Sequence, residues 1–221
     1  VRLNLIDFDD TFVFSTDLLH DAYNRAFMKI LNKSFTKAQY DEWVGQSFFL
    51  ILDKLDVTLE EFEEVHKYKN EIYPIEYLNE FKFNRALYDY IDYFKDINII
   101  CSQTTKEAIR MVLDHLKITW IHSIYDRNDV KNKKPAPDMY IKAMVDILQD
   151  PFLMGEIESI NIYEDSYTGL RAGTAAFYEM HSDTKYFKNN HVNNNGVYEY
   201  PKNLFRVNKN MIDLVSWRLY E

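Results

Sequence analysis

The sequence has one cysteine, Cys101, so no disulfide can close within the chain, and a reducing, cytoplasmic compartment is the expectation. It lacks any apolar run near the roughly 20 residues of a membrane span. It also lacks a basic segment leading into an apolar one at its start, so no signal peptide is expected. Basic residues are the minority, with 26 Lys and Arg against 35 Asp and Glu and a net charge of −9. That balance argues against nucleic acid, whose binding needs a basic face. An anionic substrate would need local neutralisation, by a metal or a few placed cations. What the chain does have is 47% hydrophobic residues over 221 positions. This is enough for a sizeable core, as one large domain or one domain carrying an insert.

Three short apolar runs share one design. Residues 3–6 end at Asp7, residues 98–101 end at Ser102, and residues 160–163 end at Glu164 and Asp165. Each reads as a buried strand, and each is followed by a helical pattern. After Ser102 comes Thr104-x-x-Glu107, a capping-box signature, with Ile109, Val112, Leu113 and Leu116 on one helical face. After Asp165 a small-residue helix runs to Ala176, in which Gly169 and Gly173 permit close packing. Strands alternating with helices predict an α/β fold, a Rossmann-like parallel sheet flanked by helices. Ligands in such sheets sit beyond the carboxyl ends of the strands, where all three polar groups fall.

Between the first and second runs no strand is evident. Residues 17–31 carry Leu18, Leu19, Ala22, Ala26, Phe27 and Ile30 at helical spacing, and Thr36-x-x-Gln39 and Thr58-x-x-Glu61 read as further helix starts. The expectation is an inserted, all-helical cap over residues 14–84, with residues 1–13 and 85–221 forming the core. The Asn-rich stretch near 189–196 reads as an irregular loop, and residues 211–219 as a short closing helix.

The chemistry concentrates in residues 7–11. Asp7, Asp9 and Asp10 place three carboxylates within four positions, which repel unless a cation shares the site. At an extended pitch Asp7 and Asp9 project to the same side. An acidic turn after an edge strand is the plainer reading of this segment alone. Downstream, Lys134-Pro-Ala-Pro-Asp138 sets a lysine before a sharp helix entry, where it can hold a phosphate as a point charge. Lys131 and Lys133 read equally as surface charges, and Asp138 as a helix-start residue.

Taken in order, Asp-x-Asp-x-Thr, a strand-end Ser, Lys-Pro-x-Pro-Asp and Glu-Asp-Ser-x-x-Gly resemble the haloacid dehalogenase superfamily, in its β-phosphoglucomutase-like group with a helical cap. The resemblance implies that Asp7 is a nucleophile forming an aspartyl-phosphate and Asp9 a general acid and base. It implies that Ser102 and Lys134 hold the phosphoryl group. Mg²⁺ would bind Asp7, Asp165, the backbone carbonyl of Asp9, and Glu164 directly or through water. Asp10 stands where the family usually has glycine, Phe14 replaces a common Asp at the cap hinge, and the usual Pro-Gly at the cap's exit is absent near Phe83 and Asn84. Asp10 itself reads as part of the turn. His20 reads as a helix-surface residue and Cys101 as a buried small hydrophobe.

The presence of Asp9 favours phosphoryl transfer over dehalogenation. Mutases of this type use basic cap residues beside a Gly-x-Ser segment, and residues 44–48, Val-Gly-Gln-Ser-Phe, contain none. Lys69 is the one cap cation expected to reach the site, unless it is solvated. The favoured function is therefore a Mg²⁺-dependent phosphatase of a small phosphorylated metabolite. A sugar-phosphate mutase and a silent or regulatory protein of the same fold remain as alternatives. Oligomeric state and substrate identity are not legible.

Overall fold

The computed structural model describes residues 1–43, 48–91, 95–150, 152, 157–179, 187–193 and 196–199. Strand β1 (Arg2–Ile6) lies between β4 (Ile97–Cys101) and β6 (Ser159–Glu164), both parallel to it. The sheet continues outward to β5 (Ser123–Tyr125) on one side. On the other it continues to β7 (Phe187–Asn193) and antiparallel β8 (Gly196–Glu199). The order is β5-β4-β1-β6-β7-β8. The three apolar runs are its three central strands.

Leu3, Leu5, Ile99, Cys101 and Ile162 pack one face against α7 (Asp138–Leu148) and α8 (Tyr167–Glu179). On the other face Ile6, Ile100 and Tyr163 meet Ile109, Val112 and Leu113 of α6 (Lys106–His115). Burying such side chains contributes about 1.5–3 kcal/mol each before entropy is charged against it. A polar ladder crosses the same sheet. Asn4 Nδ2 donates to Asn98 Oδ1 at 2.8 Å, and Asn161 Nδ2 donates to Asn4 Oδ1 at 3.1 Å. A one-residue slip of any of these strands would leave buried amides unpaired, so the ladder fixes their register. That register sets the ends of β1, β4 and β6 level with one another.

A two-stranded antiparallel ribbon, β2 (Val13–Phe14) with β3 (Lys82–Phe83), brackets the long interval after β1. Two-residue strands are too short to show a period-2 pattern in the sequence. Between them run α1 (Thr16–Leu31), α2 (Lys37–Trp43), α3 (Phe48–Leu55), α4 (Leu59–Ile72) and a 3-10 helix (Ile75–Glu80). They bury a core of their own from Ala26, Phe27, Phe35, Trp43, Phe62 and Val65. Both helix starts read from sequence are present: Thr58 and Glu61 form a reciprocal capping box, and Thr36 Oγ1 accepts from Gln39 N. A short helix, α5 (Arg85–Tyr90), then leads to β4.

Three expectations need correction. The Asn-rich stretch is not an irregular loop: residues 187–193 and 196–199 are strands. β6 offers an open edge, and pairing to it satisfies the backbone more fully than isolated turns would. His20 is not a surface residue. It is half-buried, its ring lies against Phe35 and Tyr40, and its Nε2 lies 3.4 Å from the Phe35 carbonyl oxygen. The helix after β4 is capped by Thr105, whose side chain accepts from Ala108 N, and not by Thr104. The expected closing helix at 211–219 and residues 44–47 lie outside the described residues. No described helix is long and apolar enough to cross a membrane.

Candidate active site

β1, β4 and β6 deliver Asp7, Ser102 and the Glu164-Asp165 pair to the same edge of the sheet. Asp7 continues β1 by one bond, its N–H donating to the Tyr163 carbonyl at 3.0 Å, and the chain then turns. Beyond the turn the two aspartates take different hydrogen-bond partners. Asp7 is buried against Lys134, whose Nζ donates to Asp7 Oδ1 at 2.7 Å, to Glu164 Oε1 at 2.5 Å and to the Cys101 carbonyl at 2.8 Å. Asp9 is met by the loop after β4 and by Tyr73. Thr104 Oγ1 donates to its Oδ2 at 2.6 Å, and the Tyr73 hydroxyl lies 3.5 Å from its Oδ1. Asp10 adopts a left-handed backbone, and its Oδ1 accepts from Ser15 N and Thr16 N, starting α1. Its role is the turn, as read from sequence.

Lys134 is placed by the segment that enters α7, and Asp138 ties that segment by accepting from Asn132 N and Nδ2. Burial opposes the Lys134 charge, yet Asp7 and Glu164 outweigh it and hold the ammonium above its ordinary pKa. Ser102 is buried. Its N–H donates to the Tyr125 carbonyl and its Oγ accepts from Thr104 N at 3.1 Å, which leaves its one hydroxyl hydrogen to donate.

Glu164 is fully buried. Its Oε1 accepts from Lys134 and from the Tyr140 hydroxyl, and its Oε2 from Ser166 Oγ at 3.2 Å. Directly against it lies Gly169. A Cβ there would fall 1.9 Å from Glu164 Cδ and 2.0 Å from both carboxylate oxygens. Gly169 therefore leaves room for the acid itself, more than for general helix packing. Alanine gains about 1 kcal/mol over glycine inside a helix. Even so, Gly169→Ala is expected to lose about 1–3 kcal/mol overall, because the clamped carboxylate must move. Denaturant unfolding measures this, and a variant more stable than the parent would refute it.

Asp7, Glu164 and Asp165 present carboxylate oxygens within 4.8 Å of one another. Thr11 Oγ1 donates to Asp165 Oδ1 at 3.0 Å. Burial and then Glu164 push Asp7 well above the carboxylate range. The same two causes, with Asp10, push Asp165 up to about 8. One lysine does not balance three clustered acids, two of them buried, so the donor set fits a hard divalent cation. The Asp9 carboxylate stands outside this cluster.

Above the strand ends lies a cavity of about 420 Å³, walled by Lys69 and Tyr73 from the helical insert and by Gln103, Thr104 and Arg127 from loops of the sheet. Lys69 is not solvated. It is buried, with Nζ 5.1 Å from the Tyr23 ring centroid and 5.3 Å from that of Tyr73. Burial lowers its pKa to about 8, against the pull of Asp9. A larger cavity of about 1190 Å³ shares Tyr23, His66 and Arg127 with the first and runs on among the insert's aromatic residues. Thr11, Tyr73, Thr104, Tyr140 and Ser166 were not read as site residues. Thr11 and Ser166 lie inside the quoted motifs and Thr104 in a capping pattern, whereas Tyr73 and Tyr140 carry no such signal.

The order of motifs, the parallel sheet and the strand-end acids define a class, and the haloacid dehalogenase-like hydrolase family matches residues 5–179. The chain belongs to that family. It is similar in fold to CbbY from Rhodobacter sphaeroides, solved in complex with phosphate, at 19% identity and a TM-score of 0.64 over 79% of this chain and 82% of that one. It is also similar to a hydrolase from Pseudomonas syringae, at 19% identity and a TM-score of 0.57 over 80% and 79% of the two chains. A third likeness is to a predicted phosphoglycolate phosphatase from Haemophilus somnus, at 15% identity and a TM-score of 0.62 over 79% and 81%. No curated protein matches the chain.

Proposed function

We propose that this hydrolase is a Mg²⁺-dependent phosphatase of a small phosphorylated metabolite, working through an aspartyl-phosphate on Asp7. The carrying observation is the division of labour between two neighbouring acids: Asp7 is ion-paired to Lys134, while Asp9 is hydrogen-bonded apart from it. Lys134 occupies Asp7 Oδ1, which leaves Oδ2 to attack phosphorus. Its ammonium also offsets the approach of an anion to an anion. Asp9 gives a proton to the leaving oxygen and then takes one from the attacking water. Ser102 donates its hydroxyl to a phosphoryl oxygen. Asp7, Asp165, the Asp9 carbonyl and Glu164 are the groups that would hold Mg²⁺, which when bound supplies positive charge to the phosphoryl oxygens.

In this reading residues 14–84 act as a cap domain over a core of residues 1–13 and 85–221, and the cavity between them takes the rest of the substrate. Lys69, facing that cavity, suits a substrate bearing an oxygen-rich group beyond the reacting phosphate. A sugar-phosphate mutase would need further cap cations, and residues 44–48 supply none. The test is hydrolysis of p-nitrophenyl phosphate with Mg²⁺ and with EDTA. It is followed by a panel of phosphorylated sugars, nucleotides and short phosphorylated acids, scored for free phosphate and for isomerised product. Metal-dependent phosphate release is expected. Undiminished turnover in EDTA, or isomerisation without phosphate release, would overturn the reading.

A further inference from the structure

We propose that Thr104 is a positioning residue for Asp9, committing one carboxyl oxygen to a fixed hydrogen bond so that the other carries the transferred proton. The inference rests on the phosphatase reading above.

Thr104 is free for this role because its neighbour caps the helix: Thr105, not Thr104, accepts from Ala108 N. The loop after β4 is short, and Ser102 Oγ accepts from Thr104 N at 3.1 Å, which fixes the Thr104 backbone beside the strand end. A β-branched side chain on a fixed backbone has few rotamers to lose. Its hydroxyl then donates to Asp9 Oδ2 at 2.6 Å, within the range of an O–H bond to a charged acceptor. Among the described residues Asp9 Oδ1 has no partner as close. The Tyr73 hydroxyl stands 3.5 Å away, at the outer limit of a hydrogen bond, and Tyr73 and Thr104 both wall the cavity above.

The two oxygens therefore differ. Thr104 has one hydroxyl hydrogen and gives it to Oδ2, an acceptor whether Asp9 is ionised or protonated on Oδ1. The bond persists through both halves of the reaction. In the first half an Asp7 oxygen bonds to phosphorus, the bond from phosphorus to the leaving oxygen breaks, and the Oδ1 proton passes to that oxygen. In the second, a water oxygen bonds to phosphorus, its proton passes to Oδ1, and the bond from Asp7 to phosphorus breaks. Without Thr104 the carboxyl can rotate and present either oxygen, or neither, to the leaving group.

The test compares two substrates by kcat/KM, which reports only the steps up to loss of the leaving group. Phenyl phosphate releases a phenol with a tyrosine-like pKa of about 10 and needs protonation. p-Nitrophenyl phosphate releases a far better leaving group and needs little. Thr104→Val is expected to lower kcat/KM on phenyl phosphate by roughly 10- to 100-fold, and on p-nitrophenyl phosphate by no more than about 3-fold. Inhibition by inorganic phosphate should not change. Thr104→Ser, which keeps the hydroxyl, should restore both substrates. Thr104→Ala, which cannot overpack, should repeat the split. Equal losses on both substrates, no loss, or weakened phosphate inhibition would overturn the assignment. The underlying reading fails separately: it falls if the parent protein hydrolyses neither substrate, or if Asp7→Asn keeps its activity.

Discussion

Asp7→Asn is expected to lower phosphatase turnover by about 10⁴-fold or more while leaving the fold intact. An amide oxygen is a poor nucleophile, yet it is still an acceptor. The bond from Lys134 Nζ to Asp7 Oδ1 can therefore survive the change, and Lys134 keeps Glu164 and the Cys101 carbonyl. The electrostatics point the same way. Burial and Glu164 raise the Asp7 pKa above that of an unfolded chain. A group raised in this way contributes stability in its protonated form at low pH and loses that contribution as pH rises through the folded value. Ionising Asp7 in the absence of metal is therefore a cost, and removing its charge should not lower the melting temperature. The Mg²⁺-bound parent should gain stability by mass action, about 2.7 kcal/mol at 100 times the dissociation constant. The variant should gain distinctly less. Initial rates and thermal melts with and without Mg²⁺ measure both halves. A variant with turnover within tenfold of the parent would place the nucleophile elsewhere.

What could be read from the sequence was whatever local pattern decides. Buried parallel strands are nearly continuous apolar runs, so β1, β4 and β6 were visible, and with them the site residues just beyond their ends. The capping pairs at Thr36 and Thr58 are likewise local. Nonlocal pairing decided the rest. β7 forms because β6 has an open edge, a fact that its asparagines do not advertise. Thr104 begins the capping pattern in the sequence, yet Thr105 caps the helix and the Thr104 hydroxyl goes to Asp9, a partner from another strand end. Tyr140 reaches Glu164 from a helix 24 residues away in sequence, and Gly169 is required by a carboxylate and not by a turn. Local spacing marks where the chemistry sits. The partners that hold each acid in place come from other elements and are legible only after folding.

Lys134→Met separates the structural part of the site from its catalytic part. Methionine keeps most of the apolar stem that lysine buries, so packing changes little and the lost charge dominates. The Lys134 side chain is 3% exposed, and its two ion-pair partners are exposed by only 12% and 0%. Removing the cation leaves Asp7 and Glu164 enclosed and facing each other. Breaking a buried pair in this way typically costs about 3–5 kcal/mol, and that is the loss expected at neutral pH without metal. Tyr140 and Ser166 still serve Glu164, so the protein should fold, with Asp7 the group left in excess. The defect should then depend on pH. Lowering the pH protonates Asp7, whose pKa is already raised, so the stability gap to the parent should narrow as the solution is acidified. Adding Glu164→Gln to Lys134→Met should recover part of the loss, with a coupling of about 1 kcal/mol or more in a double-mutant cycle. Phosphatase activity should not return with stability, because the cation that offsets the approach of Asp7 to phosphate is still gone. Urea unfolding across pH 5–8 and rate assays on both variants measure this. A loss below about 1 kcal/mol that does not vary with pH would mean that Lys134 serves catalysis alone.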